Sequence, residues 1–359
     1  MKVLVINCVS DKCEIGLYKG LLNKGIDIDF ILDPQDSSKE ELESLGARVE
    51  ILEIKNRADL KAYSFLKERI VKTPYDVIFA PTSRVITLAV QAAKKIPSKL
   101  VTYRGTLGNL SRLSIVSRFA HLHPRIDSII ANSDAVKNYL SSVGVPSERL
   151  ATISKGHDPA WYSEIPPADL QQEFGIPKDA ITVSCLANIR PLKGIDILLK
   201  AAANVSASVP IHYLLIGDKP DDSLPNLAND IGIEKNVHFT GFRKDALSLL
   251  KASDITTMPS VRREGVPRAI AESMAFGIPS IVSNIGGLPE LVSDGETGLV
   301  VPAKDVDALA SALEKLIQSK ELRASLGKAA KERLVNSFSM DIYVGKVYEL
   351  FLELLSSPR

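Results

Sequence analysis

The sequence predicts an α/β protein built from two doubly wound domains facing each other across a cleft. Three observations carry that prediction. At 359 residues with 45% hydrophobic content, the chain is about twice a typical domain and has apolar material for two cores. Short runs rich in Val and Ile alternate with longer helix-like segments, which is the pattern of parallel strands joined by crossover helices. The alternation breaks once at a proline-bearing stretch and then restarts.

Taken in order, the first set of strands falls at "KVLVIN" (2–7), "IDIDFIL" (26–32), "ARVEILEI" (47–54), "YDVIFA" (75–80), "KLVTY" (99–103) and "IDSIIA" (126–131). The second set falls at "AITVSCLA" (180–187), "IHYLLIG" (211–217), "NVHFTG" (236–241), "DITTMP" (254–259) and "IPSIVS" (278–283). Between them Pro159, Pro166, Pro167 and Pro177 interrupt both kinds of periodicity, so 158–177 reads as a linker between domains 1–157 and 178–339. From 305 to 355 the apolar residues recur at helical spacing, as in "DVDALASALEKLI" and "YVGKVYELFLELL". Ligands of open parallel sheets sit at the carboxyl ends of the strands, which places the expected site in the cleft.

Composition removes several function classes. With 44 basic and 43 acidic residues the chain has no global field to attract nucleic acid. Three cysteines without paired spacing suit neither a disulfide framework nor a zinc site, and read as reduced cytoplasmic thiols. "MKVLVINCVSDKC" lacks the form of a signal peptide, and no apolar run approaches the roughly 18 residues of a spanning helix. The expected location is cytoplasmic. No G-x-G-x-x-G follows the first strand, which disfavours a nicotinamide-dependent dehydrogenase.

Chemistry concentrates in "REGVPRAIAESMAFGIPSIVSNIGGLPELV", where Glu264 precedes a helix and Glu272 lies within it. Pro267 suits the helix's first turn, since its missing N–H is no loss there. Two carboxylates so placed reach different parts of one extended ligand. Helix N-termini near Gly265, Val266 and Pro267, and after Gly286 and Gly287, favour an anion such as a diphosphate. "ANIRPLKG" places Arg190 and Lys193 after a strand, both donors able to neutralise that anion. Gly241 and Phe242 end another strand, a seat for a nucleotide base.

These residues, with "RPLKG" before them and "GGLPELVSDGETGLVVP" after them, resemble glycosyltransferase family 4, a retaining family of the GT-B fold. The resemblance implies two Rossmann-like domains, an N-terminal one for the acceptor and a C-terminal one for a nucleotide-diphosphate sugar, which serves as co-substrate without an obligatory metal or other cofactor. It implies that Glu264 contacts the donor hexose, Glu272 the ribose, and Arg190 with Lys193 the phosphates. It also implies that the last helix, 340–359, returns to the first domain. Three positions depart from the family pattern. Asn188 stands where the family arginine is usual, the first loop "NCVSDKCEIG" has Gly16 alone, and Arg104 replaces a common histidine.

Arg104 is accordingly expected to bind an anionic acceptor group, with His121 and His123 beside it. From Arg84 to Ile126 there are eight Lys or Arg residues and no Asp or Glu, and "SRLSIVSRFAHLHPR" is compatible with a short amphipathic basic helix. Such a face favours an anionic membrane surface or a phosphorylated saccharide. The expected acceptor is a lipid-linked or cell-surface glycan of polysaccharide or lipopolysaccharide synthesis, with peripheral attachment at the inner face of the membrane.

Plainer readings stand beside these. Glu264 can pair with Arg268, Gly286 and Gly287 can form a simple turn, and the two histidines can be satisfied structural residues. At the level of function, the alternatives are a sugar-nucleotide 2-epimerase of similar fold and a non-catalytic nucleotide-sugar-binding protein.

Overall fold

The computed structural model describes residues 1–218 and 221–357. The chain divides into two compact units, one of Met1–His157 with the segment from Phe338 onward, the other of Asp158–Ser337.

The first unit runs β1 (Lys2–Asn7), α1 (Lys12–Asn23), β2 (Asp27–Leu32), α2 (Lys39–Ser44), β3 (Arg48–Ile51), α3 (Leu60–Lys72), β4 (Val77–Ala80), α4 (Ser83–Ala92), β5 (Lys99–Arg104), α5 (Ile115–Arg118), β6 (Ser128–Ala131), α6 (Asp134–Ser142) and β7 (Leu150–Thr152). Its seven strands are all parallel, in the order β3-β2-β1-β4-β5-β6-β7. Val3 and Val5 of β1 enter the core on one face, and Leu4 and Ile6 the core on the other. Burial on both faces is why such strands are continuously apolar instead of alternating.

The second unit runs α7 (Ala160–Ser163), α8 (Leu170–Phe174), β8 (Ile181–Leu186), α9 (Ile195–Asn204), β9 (Ile211–Ile216), α10 (Ser223–Asp230), β10 (Val237–Gly241), α11 (Ala246–Lys251), β11 (Ile255–Met258), α12 (Arg268–Phe276), β12 (Ser280–Ser283), α13 (Leu288–Leu291), β13 (Gly298–Val301), α14 (Val306–Gln318) and α15 (Lys320–Ser337). Its six strands are also parallel, in the order β10-β9-β8-β11-β12-β13. Both sheets are Rossmann-like, and strand order reverses between β1 and β4 and between β8 and β11. A crevice opens beyond the strand ends at each reversal.

α16 (Met340–Ser356) belongs to the first unit. It buries Tyr343, Val344, Val347 and Phe351 in the core beneath β1 and packs on α1, where Gly20 lies directly under Val344. The chain enters and leaves the first unit at one place, where the His157 amide donates to the Phe338 carbonyl at 2.8 Å and the Met340 amide to the His157 carbonyl at 3.2 Å. The last two positions of the segment expected at 340–359 lie outside the described residues.

Three expectations change. Segment 158–177 is not a free linker, because Tyr162 is buried edge-on to Phe276 and Ile176, Leu170 and Phe174 join a core with Leu214 and Leu249. The strand runs omit β7, whose three residues "LAT" have no pattern of their own, and β13, whose "GLVV" opens on Gly298 and is ended by Pro302. The basic helix expected over 111–125 shrinks to the four residues of α5, since Ser114 caps it and His121 turns inward. No helix among the described residues is long and apolar enough to cross a membrane.

Candidate active site

In the second unit the crevice is formed by the loops after β8 and β11, and it gathers the residues singled out in the sequence. Glu264 is 6% exposed, and its Oε1 accepts from Lys193 Nζ at 2.5 Å and from the Ser260 hydroxyl at 2.7 Å. A buried carboxylate persists only when paired and hydrogen-bonded, and both conditions hold here. Lys193 closes a single 3-10 turn, and its position depends on Gly194. Gly194 has φ +68, and a Cβ there would lie 2.1 Å from the Pro259 carbonyl oxygen. The Val261 amide donates to the Leu192 carbonyl at 2.9 Å, so the two loops are laced together.

The Gly-Gly turn serves the same loop. Gly286 has φ +59 and presses on Glu264, whose carbonyl oxygen would lie 1.8 Å from any added Cβ. The Gly287 amide donates to that carbonyl at 3.2 Å. The close approach at Gly286 is therefore to the chain itself. α12 begins at Arg268, one residue later than expected, with Pro267 extended at the cap, Gly265 buried and Val266 half-buried beside it. Glu272 is half-buried on the second turn of that helix. Arg190 is exposed at the start of its loop.

Farther along the edge, the loops after β8, β9 and β10 are tied by Asp218. Its carbonyl accepts from the Ile189 amide at 3.0 Å, and its Oδ1 from the Phe242 amide at 2.8 Å. Phe242 is held by its backbone while its ring stays exposed, beside Gly241 with φ +67. Sequence reasoning missed Ser260, Asp218 and Arg263. Arg263 is a non-glycine residue with φ +66 immediately before Glu264. Left-handed backbone at such a residue is strained, and it is tolerated here where the chain must turn the Glu264 carboxylate inward. Cys185 lies under this site, and burial pushes its thiol up to about 12, which leaves it an inert core residue.

The crevice of the first unit differs at its two helix ends. At α1 the N-terminus is closed by the chain's own carboxylates, as Asp11 and Glu14 form a capping box. Lys155 reaches across to both, 2.6 Å from Asp11 and 3.0 Å from Glu14, with its ammonium over the Tyr103 ring. Burial opposes that charge, but Tyr103, Glu14 and Asp11 outweigh it and keep the ammonium protonated well above the ordinary lysine range. Glu14 is further held by Asn7 at 3.1 Å. That end is occupied internally by Lys155 and the two carboxylates.

At α4 the expected acceptor residues appear, in altered roles. Arg104 is 9% exposed, and its guanidinium donates to the carbonyls of Thr106 and Gly108 at 2.9 and 2.6 Å. His121 is 2% exposed with Nε2 3.2 Å from the Ser83 hydroxyl, so it cannot itself line an open site. Burial first, then the charges of Arg104 and Arg57, bring its pKa down to about 3. His123 uses Nδ1 to accept the Arg125 amide at 3.0 Å. The basic stretch is also less free than its count implies, since Arg125 is paired with Asp127 at 2.6 Å and bonded to three carbonyls.

Two family models match the chain in tandem, "Glycosyltransferase Family 4" over residues 15–161 and "Glycosyl transferases group 1" over residues 168–333. The chain belongs to the family 4 glycosyltransferases. Among family relatives it is 26% identical to N-acetyl-alpha-D-glucosaminyl L-malate synthase of Bacillus anthracis over 71% of this chain and 65% of that one. It is 27% identical to the lipopolysaccharide core biosynthesis glycosyltransferase LpsE of Rhizobium meliloti, over 74% of each. The alignment with the first of these spans somewhat under two thirds of that relative. Among solved structures, Anabaena HepE in complex with UDP superimposes with a TM-score of 0.81 at 24% identity, covering 98% of this chain and all of that one. The fold is thus that of a GT-B glycosyltransferase, each unit supplying one Rossmann-like sheet.

Proposed function

We propose that this family 4 enzyme moves a hexose from a nucleotide-diphosphate donor, with retention of configuration, to a lipid-linked or cell-surface glycan acceptor. The observation that carries the reading is the half-buried Lys193 bonded to Glu264, which with Ser260 is buried, at the strand reversal of the second unit, with Glu272 on the helix that follows. Glu264 is assigned to the donor hexose and Glu272 to the ribose. Arg190 and Lys193 are assigned to the diphosphate, Phe242 with Gly241 to the base, and the backbone of 265–267 and of Gly286 and Gly287 to the remaining donor contacts. The bond from the anomeric carbon to the diphosphate breaks as the acceptor oxygen bonds to that carbon on the same face, and the acceptor proton passes to the departing phosphate oxygen. Fixed cations and helix-end amides that meet the developing charge without reorganising supply the main rate effect.

The first unit is assigned to the acceptor, with Arg104 favouring an anionic group. The LpsE relative and the UDP complex of HepE are consistent with that class of donor and acceptor. The enzyme is placed in the cytoplasm, at the inner membrane face, and no metal is required. A thermal-shift screen of UDP, GDP, ADP, CMP and their sugar conjugates tests the donor half, repeated on Glu272→Ala and with EDTA. One nucleotide should stabilise the wild type, with or without EDTA, and stabilise the variant less. Absence of binding by every nucleotide would remove the transferase assignment.

A further inference from the structure

The Arg104 guanidinium poses a problem that the donor site does not. It is nine-tenths buried, it bonds only to two carbonyls, and among the described residues no carboxylate pairs with it. A buried cation without a counter-ion is costly: burial weighs most against the Arg104 charge, the Tyr139 phenol favours it, and the Arg57 charge opposes it. The register opposes Ala80 of β4 to Thr102 of β5, so Arg104 ends its strand beside Thr82, where α4 begins. α4 is ten residues long, and Thr82 makes no side-chain capping bond to it. The amides of its first turn are thus uncapped by any side chain, at the strand-order reversal. The Ser83 hydroxyl there is oriented by His121, which burial and the fields of Arg104 and Arg57 keep neutral.

The same helix leads into an apolar groove. Ser83, Thr87 and Gln91 are spaced four residues apart and share one face of α4. Thr87 and Gln91 line a groove of about 330 Å³ with Leu60, Tyr63, Leu88 and Phe119. Arg57 lines it too, and its charge also bears on His121 and Arg104. Leu60 is 78% and Phe119 50% exposed, and Ile115 and Val116 of the adjoining α5 are exposed as well. The acidic residue of the groove, Asp59, is occupied in capping α3, with Oδ1 accepting the amides of Lys61 and Ala62.

We propose that the first unit carries a head-and-tail site for a lipid phosphate: Arg104, Arg57 and the open end of α4 take the phosphate, and the groove takes the hydrocarbon chain. The inference deepens the acceptor half of the proposed function and rests on it. Charge complementarity selects the headgroup, since among the described residues no carboxylate pairs with Arg104, and the acids around Cys8 beside Thr82 are engaged elsewhere, Asp33 by the Gln35 amide and Asp36 by Ser10 and Ser38. The continuity of groove and cluster through Arg57 selects an amphiphile over a free phosphate.

Calorimetry on the full chain tests this with decyl phosphate below its micelle concentration, decanol and inorganic phosphate. Decyl phosphate should bind at least about tenfold more tightly than either fragment, because it alone satisfies both halves. Arg57→Glu should reduce decyl phosphate to the level of decanol. Leu60→Asp with Phe119→Ser should reduce it to the level of inorganic phosphate. These three residues are surface-exposed, so the folded state is retained. Equal affinity for all three probes, or unchanged affinity in both variants, would overturn the site. A nucleotide titration of the same samples separates the two claims. Nucleotide binding without decyl phosphate binding sinks this inference alone, and the reverse sinks the transferase reading while leaving the site.

Discussion

The two strand-end crevices share a topology and differ in how their charges are balanced. In the second unit the buried carboxylate of Glu264 has its own cation, and the surrounding glycines fit the loop to itself. In the first unit one helix end is similarly self-contained, with Lys155 between Asp11 and Glu14, but at the neighbouring end no carboxylate among the described residues pairs with Arg104. A balanced crevice is preorganised for a ligand that arrives and leaves each cycle. An unbalanced one holds electrostatic energy that only a ligand of opposite sign releases.

That contrast can be broken most severely at Lys155. Lys155→Met strands two carboxylates in the first unit and should cost about 4 kcal/mol, read as a lower denaturant midpoint at unchanged slope. A change below about 1 kcal/mol would mean that water already serves those carboxylates. Glu264→Gln tests the balanced crevice. Turnover should fall about a hundredfold, or roughly 3 kcal/mol, with a smaller change in donor affinity. An equal loss in both would assign Glu264 to ground-state binding.

The third test uses pH. An unfolded histidine gains its proton near pH 6.5, whereas His121 in the folded chain resists it down to about 3. Its contribution to stability is therefore complete above about pH 6.5 and is lost progressively as pH falls towards 3. At pH 5 the loss is about 2 kcal/mol, a few degrees in melting temperature, and His121→Asn should flatten that part of the profile. A variant profile parallel to wild type would show that other groups titrate there. The smallest effect is expected for Glu272→Ala, about a tenfold loss of nucleotide affinity from one hydrogen-bonding carboxylate, checked by titration. No loss would move the ribose contact to another residue.

Much of the molecule was legible in its sequence, and the exceptions have a common cause. Strands such as 2–7 and 181–186 announce themselves because burial on both faces favours runs rich in Val, Ile and Leu. Lys193, Glu264 and Gly286 were legible because each sits in a local motif whose spacing constrains its own backbone. Ser260 and Arg263 were not, since a serine and a strained arginine have no pattern until the loop is folded. Arg104 and His121 were chosen for the acceptor site, yet their burial could not be read. It arises from the β4–β5 register and from Ser83, nearly forty residues before His121 in the chain. Segment 158–177 misled because its prolines mark turns, and the residues between those turns still had cores to join.

The return of α16 to the first unit bears on how the protein is made. Tyr343, Val347 and Phe351 complete the core beneath β1, so the first unit to leave the ribosome is the last to be finished. Roughly 180 residues of the second unit intervene, which at typical elongation rates is a wait of about 10 to 40 s. Throughout that interval Gly20 and the α1 face around it lack their cover. A nascent chain stalled before residue 340 would carry a folded second unit joined to a first unit that chaperones and proteases can still recognise.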